Sequence, residues 1–500
     1  MPLPGFWRRL VSLSFAELQV RLEPDVAHEQ EAADPWDVLV VPSINLSPEQ
    51  MALVEGVHHY EERQLFELIR LRQPRARMVF VTSKLLPDLV VDAVLDLLPG
   101  VPSSHARNRL QLFDTDDASP RPLAAKLLER PRLLERIRQG LRPNRSYISC
   151  FNVGQLERQL SEVLQLPLLG CDPALRFWGS KAGGRELFRR CGLPHPDGSE
   201  LVHSLDALTE ACGALVQRQP GLLRAVVKLN EGFSGEGNAL LELAPLDLAG
   251  RSVVEQRQRL REALEHLPMP APQWQALLAE QGALVEEWLS GGELVRSPSV
   301  QGVIHPGGRV EVLSTHEQRL GGASGQTYLG CQFPADGAYR MALQRWGQSV
   351  GEQLAALGAL DHFSVDALAR RFGERWDLQA IEVNLRKGGT THPHQVLRFL
   401  SHGQYDCASG VFLSPQGREL HYIATDNFVD ERLRGLLPVD LIDAVADAGL
   451  HYDAQRESGS VFHLLGCLSE HGKLGMTCIG TSLAEAERVD ARTRARLLEM

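Results

Sequence analysis

Two apolar runs, RAVVKLN (224–230) and NALLEL (238–243), stand on either side of a glycine-rich segment, EGFSGEG. Each run reads as a strand, and the short link makes them a hairpin with a long glycine-rich tip. Further strand-like runs follow: ALVEEWL (283–289), SVQGVI and VEVLST on either side of the turn HPGG, then HFSVDAL (362–368) and LQAIEVNLR (378–386) joined by FGERWD. The middle of the chain is therefore expected to be antiparallel sheet. Its helices are expected over 181–191, capped by Ser180 and stopped by Gly192 and Pro194, and around 253–266. A third covers 340–357, where Leu343, Trp346, Val350, Leu354 and Leu357 recur every three or four residues.

The flanking regions read differently. DVLVVP (37–42), MVFVT (78–82) and SYISCF (146–151) are short apolar runs, and a helical stretch over 48–71 separates the first two, which predicts parallel strands with crossover helices. LSEVLQLPLLGCDP (160–173) closes this region, and a boundary is expected near 172. From about 401, the runs SVFHLLGC and KLGMTCIG, with Ser482 and Glu485 starting a last helix, suggest a small lobe of its own. Residues 401–459 show little pattern.

At 500 residues the chain exceeds what one core supports, and about three domains are expected. A net charge of -11 disfavours nucleic acid and anionic membrane as partners. No apolar run is long enough to span a bilayer, the first residues lack a signal-peptide core, and a cytoplasmic protein is expected. The eight cysteines form no C-x-x-C pair, so neither a zinc site nor a disulfide framework is signalled.

Three stretches could carry chemistry. In VVKLNEGFSGEGN, Gly232, Gly235 and Gly237 leave backbone amides open to an anion, and Lys228 shares its strand face with Val226 and Asn230. A flexible tip with a solvated lysine is the other reading. In AIEVNLRKGGTTHP, Glu382, Asn384 and Arg386 share one strand face, and Asp366 lies in a neighbouring run. Oxygen donors of this kind suit Mg2+, although an ordinary half-exposed strand alternates in the same way. In ALVEEWLSGGELV, a strand end could bond an adenine edge and Glu293 a ribose, or the segment could be a plain link between strands. His392 and His394 are read as structural.

Taken together and in this order, GSKAGGRELFRRCGLPHP, the strand lysine with its glycine-rich loop, EEWLSGGE and D…EVN resemble the ATP-grasp superfamily. HYEER (59–63), RMVFVTS (77–83), VVKLNEGFSGEGN and IEVNLRKGGTTHP are similar, more narrowly, to the pheganomycin-type peptide ligases. The resemblance implies an α/β protein with α+β lobes: a pre-ATP-grasp α/β domain (1–172), a two-lobed ATP-grasp domain with antiparallel sheets (173–400) and a small C-terminal α+β lobe (401–500). It implies ATP and Mg2+ (or Mn2+) as cofactors. Lys181 and Lys228, with loop residues Gly232, Ser234, Gly235 and Gly237, would hold the phosphates. Glu286, Glu287, Trp288 and Leu289 would form the adenine hinge, Glu293 would hold the ribose, and Asp366, Glu382 and Asn384 would be the metal ligands. D-alanine ligases have an arginine two places before the metal aspartate, where this chain has Ser364. Arg319 and Arg386 are the candidates for holding the carboxylate or acyl phosphate, and Lys228 is expected to help disperse the charge on the transferred phosphoryl group.

The implied reaction joins a carboxylate to an amine, an amino acid or peptide, through an acyl phosphate, releasing ADP and phosphate. Closure of the hairpin would keep water from that intermediate. Other ATP-grasp carboxylate chemistry (a carboxylase or kinase-like activity) and a noncatalytic ATP-binding sensor or scaffold are the alternatives. A homo-oligomer is left open.

Overall fold

The three N-terminal apolar runs are neighbours in one parallel sheet. Its strands are β1 (Asp37–Val41), β2 (Met78–Thr82), β3 (Leu110–Asp114), β4 (Ser146–Cys150) and β5 (Leu168–Leu169), in the order β3-β2-β1-β4-β5. β1, β2 and β4 are buried along their whole length, as parallel strands covered on both faces should be. The order reverses between β1 and β4, so the carboxyl ends of those two strands form a switch point, where such sheets leave a crevice for ligands. The computed structural model describes residues 13–24, 26, 34–46, 48–52, 54–231, 237–267, 273–321 and 327–500.

The glycine-rich segment does join two antiparallel strands, β6 (Arg224–Leu229) and β7 (Asn238–Glu242). β8 (Ala283–Glu287) lies on the other side of β6, giving a three-stranded sheet, β7-β6-β8. Helices Leu205–Arg218 and Val253–Glu265 cover it, with Leu208, Leu215, Leu260 and Leu264 fully buried against Val227 and Leu241.

A ten-stranded sheet holds the rest: β9 (Leu294–Ile304), β10 (Val310–Gly321), β11 (Thr327–Phe333), β12 (Asp361–Phe372), β13 (Arg375–Asn384), β14 (Gln404–Asp406), β15 (Val411–Leu413), β16 (Glu419–Val429), β17 (Gly459–His463) and β18 (Lys473–Gly480). The helix read from its apolar face, Arg340–Ala356, buries Leu343, Val350 and Leu354 against β9 and β12. β16 pairs with β11, so this sheet runs without a break across residue 401. The C-terminal strands also share an apolar core with the first sheet, in which Leu68, Phe80 and Tyr147 cluster with Leu397, Tyr422 and Met476.

Candidate active site

A cleft of about 1020 Å³ lies where these three sheets meet. One wall comes from the small sheet and the helix that abuts it. Ser180 caps helix Lys181–Cys191 by accepting from the Gly183 amide, and Asn230, at the end of β6, accepts from Lys181 N and Ala182 N. Two lysines are thereby fixed at the cleft. Lys228 Nζ lies 2.5 Å from Glu286 Oε2, and Arg185 Nη1 lies 3.0 Å from Glu286 Oε1. Burial opposes ionisation of Glu286, but Lys228 and Arg185 outweigh it and hold the carboxyl below its usual range. Gly198 leaves room for this cluster: a Cβ there would sit 2.9 Å from Glu286 Cγ.

The opposite wall is the β12-β13 pair. Asp366 and Glu382 are register partners, and Ser364 partners Asn384. Asp366 accepts from Gln318 Nε2 at 2.7 Å and from Asn384 Nδ2 at 3.1 Å. Arg386 Nη2 donates to Asn384 Oδ1 at 3.0 Å, and Lys181 Nζ reaches Glu382 Oε1 at 2.5 Å. Burial and the neighbouring Glu382 charge push the Asp366 carboxyl up to about 7, against the pull of Arg386, Lys181 and the Gln318 hydrogen bond. Two crowded carboxylates beside an amide oxygen form a hard donor set whose mutual repulsion a divalent cation relieves, so these residues fit such an ion. Among the described residues, no three His, Cys, Asp or Glu side chains form a metal-holding group. Asn384 would therefore have to serve as the third donor.

The expected residues fall into three groups. Lys181, Lys228, Glu286, Glu287, Trp288, Leu289, Asp366, Glu382, Asn384 and Arg386 line the one cleft. Within the expected hinge, the Glu286 side chain is a counter-ion for Lys228 and Arg185. The Glu287 and Trp288 amides donate to the carbonyls of Asp197 and Arg224. Arg319 and Glu293 are outside the lining: Arg319 is exposed on β10, whose Gln318 and Leu320 face the cleft, and Glu293 pairs loosely with Arg371 at 3.6 Å. Gly237 ends the hairpin tip in a left-handed conformation (φ 80°), whereas Gly232, Ser234 and Gly235 lie outside the described residues. His392 and His394 are buried; His392 Nδ1 contacts the Arg63 carbonyl, and His394 lies against the Phe333 and Phe412 rings.

Sequence reasoning missed the far end of the cleft. Ile44, Leu46 and Phe151 arrive there from the carboxyl ends of β1 and β4, and Tyr60, Arg63, Asp426 and Lys473 complete it. The available signals were HYEER, which held Tyr60 and Arg63, and the polar triplet Thr425-Asp426-Asn427 that breaks an apolar strand where β16 bulges.

Comparison with known proteins bears on the family and the fold. A family model described as "IQCH-like, ATP-grasp" matches residues 173–268, and one described as "PGM1 C-terminal domain" matches residues 440–493. The L-propargylglycine--L-glutamate ligase of Streptantibioticus cattleyicolor is 31% identical over 468 residues, covering 91% of this chain and 92% of the relative. The chain belongs to the ATP-grasp ligases, in their pheganomycin-type branch. Solved structures share its fold. A biotin carboxylase from Campylobacter jejuni in an ATP-analogue complex gives a TM-score of 0.54 at 12% identity, covering 93% of this chain and 94% of that one. The N5-carboxyaminoimidazole ribonucleotide synthetase of Thermus thermophilus gives 0.51 at 16%, covering 93% and 99%. Among the described residues, no helix is long and apolar enough to cross a membrane.

Proposed function

We propose that this ligase uses ATP to activate a carboxylate and joins it to the amine of an amino acid or peptide. The observation that carries the reading is the register of Asp366 with Glu382, beside Asn384 and Arg386, in a cleft that also holds Lys181 and Lys228. In the first step a carboxylate oxygen attacks the γ-phosphorus of ATP, the bond from that phosphorus to the bridging oxygen breaks, and ADP leaves. In the second, the amine nitrogen attacks the acyl carbon, the bond from carbon to the phosphate oxygen breaks, phosphate leaves, and the nitrogen loses a proton. Lys228 and Lys181 place cationic charge against the phosphates, and Arg386 places it against the acyl phosphate. Arg319 is left out of this role because it does not line the cleft. Asp366, Glu382 and Asn384 would hold Mg2+ or Mn2+, which supplies neutralisation of phosphoryl charge. Glu287 to Leu289 are proposed as the adenine-side lining, with the ribose contact of Glu293 dependent on movement of its loop.

We further propose the divisions 1–172, 173–400 and 401–500 as functional units of one continuous assembly, and a cytoplasmic setting. The name of the Streptantibioticus relative supplies the first substrates to try, L-glutamate and L-propargylglycine. Incubation of either with a panel of amine or carboxylate partners, ATP and Mg2+ should yield ADP, phosphate and an amide in equal amounts. Nucleotide binding without metal-dependent turnover on the whole panel would favour the sensor alternative.

A further inference from the structure

The far end of the cleft is built around one ion pair. Arg63 Nη1 lies 3.0 Å from Asp426 Oδ2, with the two side chains 12% and 15% exposed. The Arg63 guanidinium sits 4.6 Å from the Tyr60 ring centroid and 4.8 Å from that of Phe151, so two aromatic rings pack against it. Its Nε is buried without a hydrogen-bond partner among the described residues. The His392 contact to the Arg63 carbonyl, 2.8 Å, anchors its backbone. Lys473 Nζ also stands over the Tyr60 ring, 5.1 Å from its centroid.

Partly buried ion pairs contribute little stability for their desolvation cost, so a pair set into the wall of a substrate cleft calls for a functional account. A ligand bearing only a carboxylate could satisfy Arg63 but would strand Asp426, and a ligand bearing only an ammonium would strand Arg63. A dipolar ion satisfies both. The two protein charges are only 3.0 Å apart, so the ligand's charges must also be close, as on one α-carbon rather than at opposite ends of a peptide.

We propose that Arg63 and Asp426 form a receptor for the α-amino-acid head group of the carboxylate donor, Asp426 taking the ammonium and Arg63 the α-carboxylate, so that the carboxylate that reacts is the one on its side chain. The proposal rests on the reading of this cleft as a ligase site. Tyr60 and Phe151 act as positioning residues that hold the guanidinium, and Arg386, on the same cleft, faces the reacting end.

The test uses the full chain. Binding of a non-hydrolysable ATP analogue is read by calorimetry, and ADP release is measured with each common α-amino acid, singly and in pairs. The best amino acid is then compared with its des-amino analogue, in the wild type and in Asp426→Asn. The expected result is that an α-amino acid drives ADP release and that the des-amino analogue loses at least about 100-fold in kcat/KM. Asp426→Asn should erase most of that discrimination while leaving the affinity for the ATP analogue unchanged, and Arg63→Lys should raise KM for the amino acid more than it lowers kcat. Equal use of the des-amino analogue by the wild type would overturn the proposal. So would discrimination undiminished in Asp426→Asn, or a protein that binds nucleotide yet releases ADP with no amino acid. Should Asp426→Asn fail to fold, the wild-type comparison of the two analogues decides alone. Failure of the wild type to bind the ATP analogue would instead contradict the ligase reading and remove the proposal with it.

Discussion

Asp366 and Glu382 face each other as register partners across β12 and β13, and Lys181, from a separate wall of the cleft, reaches the second of them at 2.5 Å. This places two carboxylates and an ammonium at one point. Asp366→Asn and Glu382→Gln, each nearly isosteric, should lower the rate of ADP release by about 100- to 1000-fold, the scale of losing one charged group that acts on a developing transition state. A metal-dependent ADP assay with the wild type as reference checks this, and unaltered rates in both variants would remove the pair from the chemistry.

Glu286 bridges Arg185 and Lys228 and is itself nearly inaccessible. Glu286→Ala leaves two buried cations facing each other, which should destabilise the fold by about 3–5 kcal/mol in chemical denaturation. The triple change of Arg185, Lys228 and Glu286 to apolar residues of like volume should cost less than Glu286→Ala alone, while abolishing turnover through loss of Lys228.

What the sequence made legible, and what it did not, follows from distance along the chain. Lys228 and the set Asp366, Glu382 and Asn384 stood out because period-two alternation places them on strand faces within short stretches. Many of the strands were legible for the same reason, but β3, only partly buried, lacks a continuous apolar run, and β11 and β14 to β16 were not read as strands. Glu286 read as part of a hinge because adjacency in sequence says nothing of the two cations that neutralise it, one from a helix and one from β6. Arg63 and Asp426 are 363 residues apart, and only the packing of the first sheet against the C-terminal strands brings them together. The C-terminal region was hard to parse because Asp426 and Asn427 interrupt β16 at a bulge.

Glu61 is buried and accepts hydrogen bonds from Ser83 N at 2.5 Å and Ser83 Oγ at 2.6 Å. Burial pushes its carboxyl up from 4.5 to about 7, against those hydrogen bonds and the charges of Lys126 and His59. A folded-state value above the unfolded one means that the native protein binds the extra proton between them. Stability from this group is greatest below its ordinary value and is lost as pH rises towards about 7, by on the order of 3 kcal/mol. Urea denaturation from about pH 5 to about pH 8 should show the fall in the wild type and a flatter profile in Glu61→Gln. Identical profiles would contradict the assignment.

Gly389 lies in the loop that follows β13, where an added Cβ would meet the Tyr328 ring at 2.5 Å. Tyr328 lines the cleft, so Gly389→Ala forces a cleft residue to shift and should destabilise by about 1–3 kcal/mol. Thermal denaturation with and without ATP and Mg2+ checks this. A variant as stable as the wild type would show that the ring moves freely.

In the proposed reaction the carboxylate oxygen itself takes the phosphoryl group. With the carboxylate substrate labelled in both oxygens with 18O, one label should pass to inorganic phosphate for each amide formed, read by mass spectrometry of phosphate and product together. Amide formed with unlabelled phosphate would contradict an acyl phosphate, and with it the account of how Asp366, Glu382, Lys181, Lys228 and Arg386 work as one site.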